Sequence, residues 1–487
     1  MAHLQVSSID VAELTRQLGQ WTRTHDTLAK SLADALVQLM DAGLLPAGSR
    51  LPSQRELAAT LGTARGTVVT AYDLLLQQGY VTARQGSGYW VRSISARGQS
   101  RMGARMFAFT SNSADWIDLS SGALPASSGV ATAIGALGKT DLDPYLPTDG
   151  YFPMGLPNLR RQIAAYYTRD GLTTQPADVL VTSGAQQSVW LAASTFAGVG
   201  VTVLVEEPGY RGGLEAFAAT GATVEGIRVV NGGIDVDLVR QLGPKAQVLY
   251  CQTSIHNPTG RSMAAAARHE LAEVINKYGI LTIEDTVSRD LVLEGATPAP
   301  VLTGLVDPEL LITIGTASKL FWGGLRIGWV VGQEKHLRAI LQCKRPIDLA
   351  ASPLNQLITA HLLDSAPVAR RERQLSLNRW LEATEAIVHE IFPDWTWERP
   401  HGGPGLWVET HLDAVALTET AKRVGVLLAP GPSFSSYRGL RTKLRLPIWH
   451  EADVLSEGLG AIARAEPHSR LDGLPVDDGG RHRRAAG

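Results

Sequence analysis

The sequence is poor in cysteine, with Cys251 and Cys343 the only two among 487 residues. Two thiols cannot staple a disulfide framework and neither stands at a metal-ligand spacing, so a reducing cytoplasm is the expected setting and no metal centre is expected. Long apolar runs are missing too: no stretch of about 18 apolar residues would cross a bilayer, and the N-terminus lacks the basic-then-apolar order of a secretion signal. Neither membrane spanning nor secretion is expected. Surplus charge is also absent. With 45 Lys and Arg against 47 Asp and Glu, any attraction to nucleic acid has to come from a local patch. What is present is an ordinary globular composition, 44% hydrophobic and 19% charged, in a chain too long for one ordinary domain.

The N-terminal 92 residues are read as a unit. Ile9, Ala12, Leu14, Leu18 and Trp21 have loose helical spacing and predict a short amphipathic lead-in. From Thr27, the residues Leu28, Leu32, Ala35, Leu36 and Leu39 mark one face of a helix that Asp41-Ala42-Gly43 ends. Pro52 stops an extended segment, and Ser53 with Glu56 three residues on predicts a capped helix over about 53–60. A break at Leu61-Gly62-Thr63 opens a third helix, about 64–78, with Val68, Ala71, Tyr72 and Leu75 inward. Two helices joined by a short glycine-containing turn make a helix-turn-helix, and the strands around Gln85-Gly86-Ser87-Gly88 add a wing. Through Leu-Pro-Ser-Gln-Arg-Glu-Leu-Ala (51–58), Leu-Gly-x-x-Arg-x-Thr-Val (61–68) and Gly-Ser-Gly-Tyr (86–89) this part resembles the winged helix-turn-helix of the GntR family of bacterial regulators. The resemblance implies that Arg50, Ser53, Arg55, Arg65, Thr67, Gly86 and Gly88 meet double-stranded DNA; the plainer reading is that these arginines are solvated surface charges. Ala64 stands where the family usually has a serine, which removes one phosphate contact.

Residues 93–115 are rich in Ser, Gly and Arg with weak periodicity and read as a linker, either a flexible tether or one with affinity for the DNA backbone. From Trp116 to about residue 466, strand-like runs alternate with helical patterns: 179–182 then 186–196, 201–205 then 212–220, 248–250 then 264–278, then 281–283 and 311–314. Such alternation means a mainly parallel α/β sheet covered on both faces. After about Ala350 long helices lead to a small α+β end that holds 405–408 and 443–446. Residues 467–487 are polar and expected to be disordered.

The chemistry gathers at strand ends. Leu310 to Ile314 is short, apolar and strand-like, and Gly315-Thr316-Ala317-Ser318-Lys319 follows it. A lysine there is costly to bury unless it forms an imine, and Thr316, Ser318 and Arg326 offer the donors a phosphate needs. Lys319 is therefore the candidate Schiff-base lysine for pyridoxal 5′-phosphate, against the alternative of a solvated Ser-Lys loop. Ser183-Gly184-Ala185-Gln186 lies between strand and helix, where backbone N–H groups cradle phosphate. Asn257 stands by the rigid turn of Pro258, Asp285 closes a strand where a carboxylate can keep a pyridine nitrogen protonated, and Tyr210 offers a ring for stacking.

In order and placement these motifs resemble the fold-type-I aminotransferases. The resemblance implies Lys319 as imine lysine, Asp285 at the pyridine nitrogen, Asn257 at the phenolic oxygen and Tyr210 over the ring. It also implies Ala185, Gln186, Thr316, Ser318 and Arg326 at the phosphate, and Arg445 at a carboxylate. Arg445 as a surface arginine among Arg438, Arg441 and Lys443 remains the alternative. Val287 stands where relatives carry a tyrosine, which puts full transaminase efficiency in doubt, and whether Arg211 reaches a ligand is open. His256 reads as a packing or turn residue, Cys251 as a small buried hydrophobe, and the tryptophans as mostly core.

A GntR-type winged helix fused to an aminotransferase-like domain is the plan of the MocR subfamily of regulators. The resemblance implies a cytoplasmic homodimer that binds an operator of two half-sites, and relatives often swap the DNA-binding domains across the dimer. It further implies sensing of an amino compound, or pyridoxal phosphate itself, through an aldimine at Lys319. A catalytically active aminotransferase acting on an amino acid is the alternative.

Overall fold

The computed structural model describes residues 11–19, 21, 27–41, 45, 49–77, 80–84, 88–91, 116–294, 301–437 and 439–465. Gly86, Gly79, Arg438, the linker 93–115 and the tail 467–487 lie outside the described residues.

Among the described residues the first unit is four helices and a hairpin: α1 (Val11–Leu18), α2 (Leu28–Asp41), α3 (Gln54–Leu61), α4 (Arg65–Gln77), β1 (Val81–Arg84) and β2 (Gly88–Val91). Ser53 is the N-cap of α3, its hydroxyl accepting from the Glu56 N–H at 3.2 Å, and Gly62 ends the helix at φ 63°. That left-handed residue needs no Cβ, which is why the turn into α4 can be so short. Val68, Ala71, Tyr72 and Leu75 are fully buried, and the Tyr72 hydroxyl donates to the Pro52 carbonyl at 2.9 Å, pinning α4 to the segment before α3. One expectation fails: Leu28 is 49% exposed, because the inward face of α2 runs through Leu32, Ala33, Leu36 and Met40 instead. β1 and β2 pair antiparallel from Val81↔Val91 to Arg84↔Gly88, the predicted wing.

In the larger unit an eight-stranded sheet has the order β4-β11-β10-β9-β8-β5-β6-β7. Its strands are β4 (Val179–Thr182), β5 (Thr202–Glu207), β6 (Thr223–Val230), β7 (Gly233–Ile234), β8 (Val248–Cys251), β9 (Leu281–Asp285), β10 (Leu311–Thr316) and β11 (Gly328–Gly332). The run from β10 through β9, β8 and β5 to β6 is parallel, and β11 is antiparallel to both neighbours. Both faces are covered, as the apolar strands require. Along β4, Val179 and Val181 pack with Leu159 and Ile163 of α5 (Pro157–Arg169), whereas Leu180 faces Val189 and Leu191 of α6 (Ala185–Phe196).

Four further helices matter here: α7 (Arg211–Ala219), α8 (Ala265–Tyr278), α9 (Glu334–Asp348) and α10 (Pro353–Asp364). A fifth, α11 (Ala366–Ile391), is 26 residues long and crosses between two cores. Its Ala366 and Ala369 pack with Ala317, Leu320 and Phe321 of the large lobe, and its Leu377, Leu381 and Val388 pack in the small lobe. The small lobe is a five-stranded sheet, β12-β13-β15-β14-β3, built from β12 (Thr396–Trp397), β13 (Gly405–Glu409), β14 (Val426–Pro430) and β15 (Lys443–Pro447). Its edge strand β3 (Ile117–Leu119) comes from the start of the unit and runs parallel to β14. The lobes are fastened together beside the site: Gly209 N–H donates to Phe434 O at 2.8 Å, and Ser436 N–H and Oγ both donate to Glu207 Oε2 at 2.7 Å. The tryptophans are not mostly core; of eleven only Trp90, Trp329 and Trp395 are buried.

Candidate functional site

The ends of β9 and β10 and the middle of β15 bring Asp285, Lys319 and Arg445 together. Lys319 follows β10 by three residues, and its Nζ donates to Gly122 O at 2.7 Å. Burial, helped by Arg445 and Arg211 and opposed by Asp285, pushes its pKa down to about 8. A share of neutral amine is therefore present close to physiological pH. Asp285, the last residue of β9, is 3% exposed. Its Oδ2 accepts from the Tyr250 hydroxyl at 2.6 Å and its Oδ1 from the Val287 N–H at 3.1 Å. Burial raises its pKa, while the hydrogen bonds from Tyr250, Val287 and Gln252 and the charge of Lys319 work against that rise.

Arg445 is buried on β15, opposite Trp407 of β13, and is not a surface arginine. One Nη donates to Ser120 O and the other reaches Asn257 Oδ1 at 3.4 Å, while its buried Nε has no protein acceptor. Gly122 makes room for it: a Cβ there would stand 3.1 Å from Nη1. Arg211, at the start of α7 and 3% exposed, shares the Phe434 ring with Arg445, at 5.8 and 5.1 Å from its centroid. Burial holds both guanidiniums below their usual proton affinity, and the charge of Arg211 lowers that of Arg445 further. A guanidinium still keeps its proton, so the crowding creates a buried positive region suited to an anion.

A second group gathers at the start of α6. Gly184 is its N-cap at φ 104°, and a Cβ there would come within 2.8 Å of Arg326 Nη2. Arg326 itself takes φ 51° and donates to Ser183 O at 3.0 Å. Thr316 Oγ1 lies 3.1 Å from Ser318 Oγ and accepts the Ser318 N–H. Ala185 and Gln186 open the helix, where N–H groups have no intrahelical partner. Behind them buried Lys344 pairs with Asp348 at 2.6 Å, and Asp348 accepts from Ser183 Oγ and Gln187 Nε2. Tyr210 joins the two groups: its hydroxyl donates to Gln186 Oε1 at 2.7 Å, and burial and Asp285 push its pKa up to about 12.

Sequence reasoning missed Tyr250 and Gln252. Gln252 Oε1 accepts the Asn257 N–H at 2.9 Å while its side chain also bonds Asp285, so one amide ties the two motifs. Their signal was polar groups at i and i+2 around an apolar strand, flanking Cys251. His256 is a turn residue as expected: Nδ1 meets Thr259 Oγ1 at 2.8 Å, and burial holds its pKa at about 4. Cys251 is fully buried. Val287 packs its side chain into the large-lobe core and offers no hydroxyl. Beyond Trp407, which packs edge-on against Phe434, a cleft of about 500 Å³ opens between Glu207, Arg261, Trp397 and Lys443.

In the N-terminal unit Arg50, Ser53, Arg55 and Arg65 are exposed and Thr67 is half-buried. The Arg50 guanidinium lies beside Gly88, 3.5 Å from where a Cβ would stand, joining the segment before α3 to the wing. Among the described residues no three His, Cys, Asp or Glu side chains could hold a metal, and no helix is long and apolar enough to cross a membrane.

Residues 114–462 match the family "Aminotransferase class I and II", and residues 28–91 match "Bacterial regulatory proteins, gntR family". The HTH-type transcriptional regulator YdfD of Bacillus subtilis is 28% identical, over 82% of this chain and 88% of its own. YisV, another HTH-type transcriptional regulator of that organism, is 30% identical over 75% and 80%. Among solved structures, LysN, the alpha-aminoadipate aminotransferase of Thermus thermophilus complexed with N-(5′-phosphopyridoxyl)-L-leucine, superposes with a TM-score of 0.67 at 25% identity, covering 76% of this chain and 96% of its own.

Proposed function

The chain belongs to the aminotransferase class I and II family and carries a gntR-family domain ahead of it, the plan of the MocR subfamily, and from that premise we propose a pyridoxal-phosphate-dependent transcriptional regulator. The effector is an amino compound bearing an anionic group, or the cofactor itself. The observation that carries this reading is the cluster of half-buried Lys319 with buried Asp285 and Arg445 in a chain that also presents Arg50, Arg55 and Arg65 on a winged helix.

The residues fit the cofactor. Gly184 has the space that Arg326 and the helix start need to share one anion, and the orphaned Nε of Arg445 points to a second anion beyond the phosphate. Ala185, Gln186, Thr316, Ser318 and Arg326 would hold the phosphate, Asn257 the phenolic oxygen, Tyr210 the ring face and Lys319 the point of attachment. Bound there, the cofactor supplies an aldehyde for amines to condense with and a ring that withdraws electrons. Asp285 keeps a proton on the ring nitrogen, and Tyr250 holds that carboxylate in place. Lys319 moves protons at its own Nζ, and its lowered pKa suits it to that work. Arg445 anchors the effector's anionic group in two-pronged fashion. Two copies of the chain place two winged helices on an operator of two half-sites; the exposed apolar Ile347, Leu349 and Leu354 support such a dimer. It works in the compartment that holds the DNA.

The test is binding of the full-length protein to DNA upstream of its own gene, with and without pyridoxal phosphate, beside Lys319→Ala. Specific binding that responds to cofactor or to amino compounds, and loses that response in the variant, is expected. A working aminotransferase is the second reading, favoured by the intact Lys319 and Asp285 and opposed by Val287. Steady multiple turnover of amino groups without specific DNA binding would put it first.

A further inference from the structure

Three carbonyls within a six-residue stretch each accept from a different cation, two of them buried and Lys319 half-buried. Ser120 O takes Arg445, Gly122 O takes the Lys319 amine at 2.7 Å, and Pro125 O takes Arg373 Nη2 at 2.6 Å. Arg373 sits on α11 and is 3% exposed. Its Nε donates to Leu320 O at 2.9 Å and its Nη2 also to Phe321 O at 2.7 Å, the two residues that directly follow Lys319. The turn is closed by Phe321 N–H and Trp322 N–H on Ala317 O, and Ser127 N–H donates to Phe321 O at 2.9 Å. Next to Arg373, Glu372 accepts from Ser128 N–H and Oγ.

A buried guanidinium is costly unless its donors are satisfied, and its planar fork fits several acceptors at once where an ammonium cannot. Here the acceptors are main-chain carbonyls on both sides of the reactive amine: the turn that carries Lys319 and the segment that receives its Nζ. Arg373 also stands where α11 passes from one core to the other, between Ala369 in the large lobe and Leu377 in the small. The helix behind it is thus fixed at both ends.

We propose that Arg373 is a positioning residue for Lys319, holding the 317–322 turn and the 120–125 segment against α11 so that the amine stays enclosed and aimed at Gly122. Burial is the first cause of the low proton affinity of Lys319, and the charges that act on it are Arg445, Asp285 and Arg211, not Arg373. Loosening the turn admits water and raises that affinity without a direct change of charge nearby.

The experiment uses the full-length chain with Arg373→Lys and Arg373→Gln, and Arg371→Gln on the exposed side of the same helix as control. Acetylation of Lys319 in cofactor-free protein, followed by peptide mass spectrometry across pH, gives its midpoint. It is expected near 8 in the parent and in R371Q, and at least half a unit higher in both Arg373 variants, with faster amide exchange confined to 317–325. An unmoved midpoint and exchange in folded R373K overturns the proposal, and so does a shift in R373Q alone, which would be a charge effect. Should the variants not fold, the parent decides: amides of 320–325 exchanging together with the centre of α11 support the tie, and exchange a hundredfold faster overturns it. The inference rests on Lys319 being the reactive lysine; a parent that takes up no pyridoxal phosphate sinks the functional reading while leaving this result standing.

Discussion

Lys319 and Arg445 work against each other: one is a half-buried and the other a buried cation, and Arg445 is the second cause, after burial, of the low pKa of the lysine. Arg445→Met removes that repulsion and keeps the bulk, so the Lys319 midpoint should rise from about 8 by roughly one unit. The sign follows because a cation that loses a like neighbour holds its proton more tightly; pH-dependent labelling of the lysine measures it, and a fall would contradict the geometry. Gly184 makes a second prediction. An alanine there meets both a φ of 104° and the Arg326 guanidinium, so Gly184→Ala should cost about 1–3 kcal/mol of stability and weaken pyridoxal phosphate binding tenfold or more, read by cofactor titration. At this scale the sequence was informative where a residue type is rare in its context, as with a lysine after a buried strand. It was silent where the role depends on a distant partner. Tyr250 is one more aromatic in an apolar strand until the fold sets Asp285 beside it, and Arg373 is one of several arginines on a long helix.

Among elements, the segment after β9 is held to two helices by a compact set of charges. Arg370 of α11 bonds Asp170 and Asp290, Arg289 bonds Asp170, and Tyr166 of α5 donates to Asp290 at 2.6 Å. Arg370→Met would leave both carboxylates short of a partner; with the pair part-exposed, a loss of about 1–3 kcal/mol is expected in denaturant unfolding. A loss too small to measure would mean that Arg289 suffices. On the winged helix, Arg65→Ala should weaken binding to all DNA sequences alike and lower the slope of log affinity against log salt by about 0.9, whereas an unchanged slope would remove Arg65 from the phosphate contacts. Elements with strong local punctuation were legible: Ser53, Glu56 and Gly62 bound α3, and β4, β5, β8, β9 and β10 follow apolar runs, whereas β6, with Glu225 and Arg228 along it, and the two-residue β7 were not read. The inward face of α2 was misread at Leu28 because a helix end can point its apolar residue away from the core while Ala33 and Met40 fill it.

The whole molecule has separate cores. The winged helix packs its own cluster around Leu14, Leu36, Leu57 and Tyr72, while the two lobes of the larger unit share α11. Calorimetry should therefore show two transitions rather than three, with pyridoxal phosphate raising only the one that belongs to the lobes, since a ligand stabilises the unit that binds it. Three transitions would mean that α11 does not bind the lobes into one cooperative block. The domain order was legible from alternating patterns, but the composition of the small sheet was not, because nothing near Ile117 says that its partner is Val426. That pairing has a consequence for synthesis. β3 leaves the ribosome about three hundred residues before β14, and at roughly 5–20 residues per second it waits on the order of 15–60 s for its neighbour. Three residues long and carrying Asp118 in its centre, it is a poor template for other chains during that wait, so the small lobe can be the last part to assemble without exposing a long sticky edge.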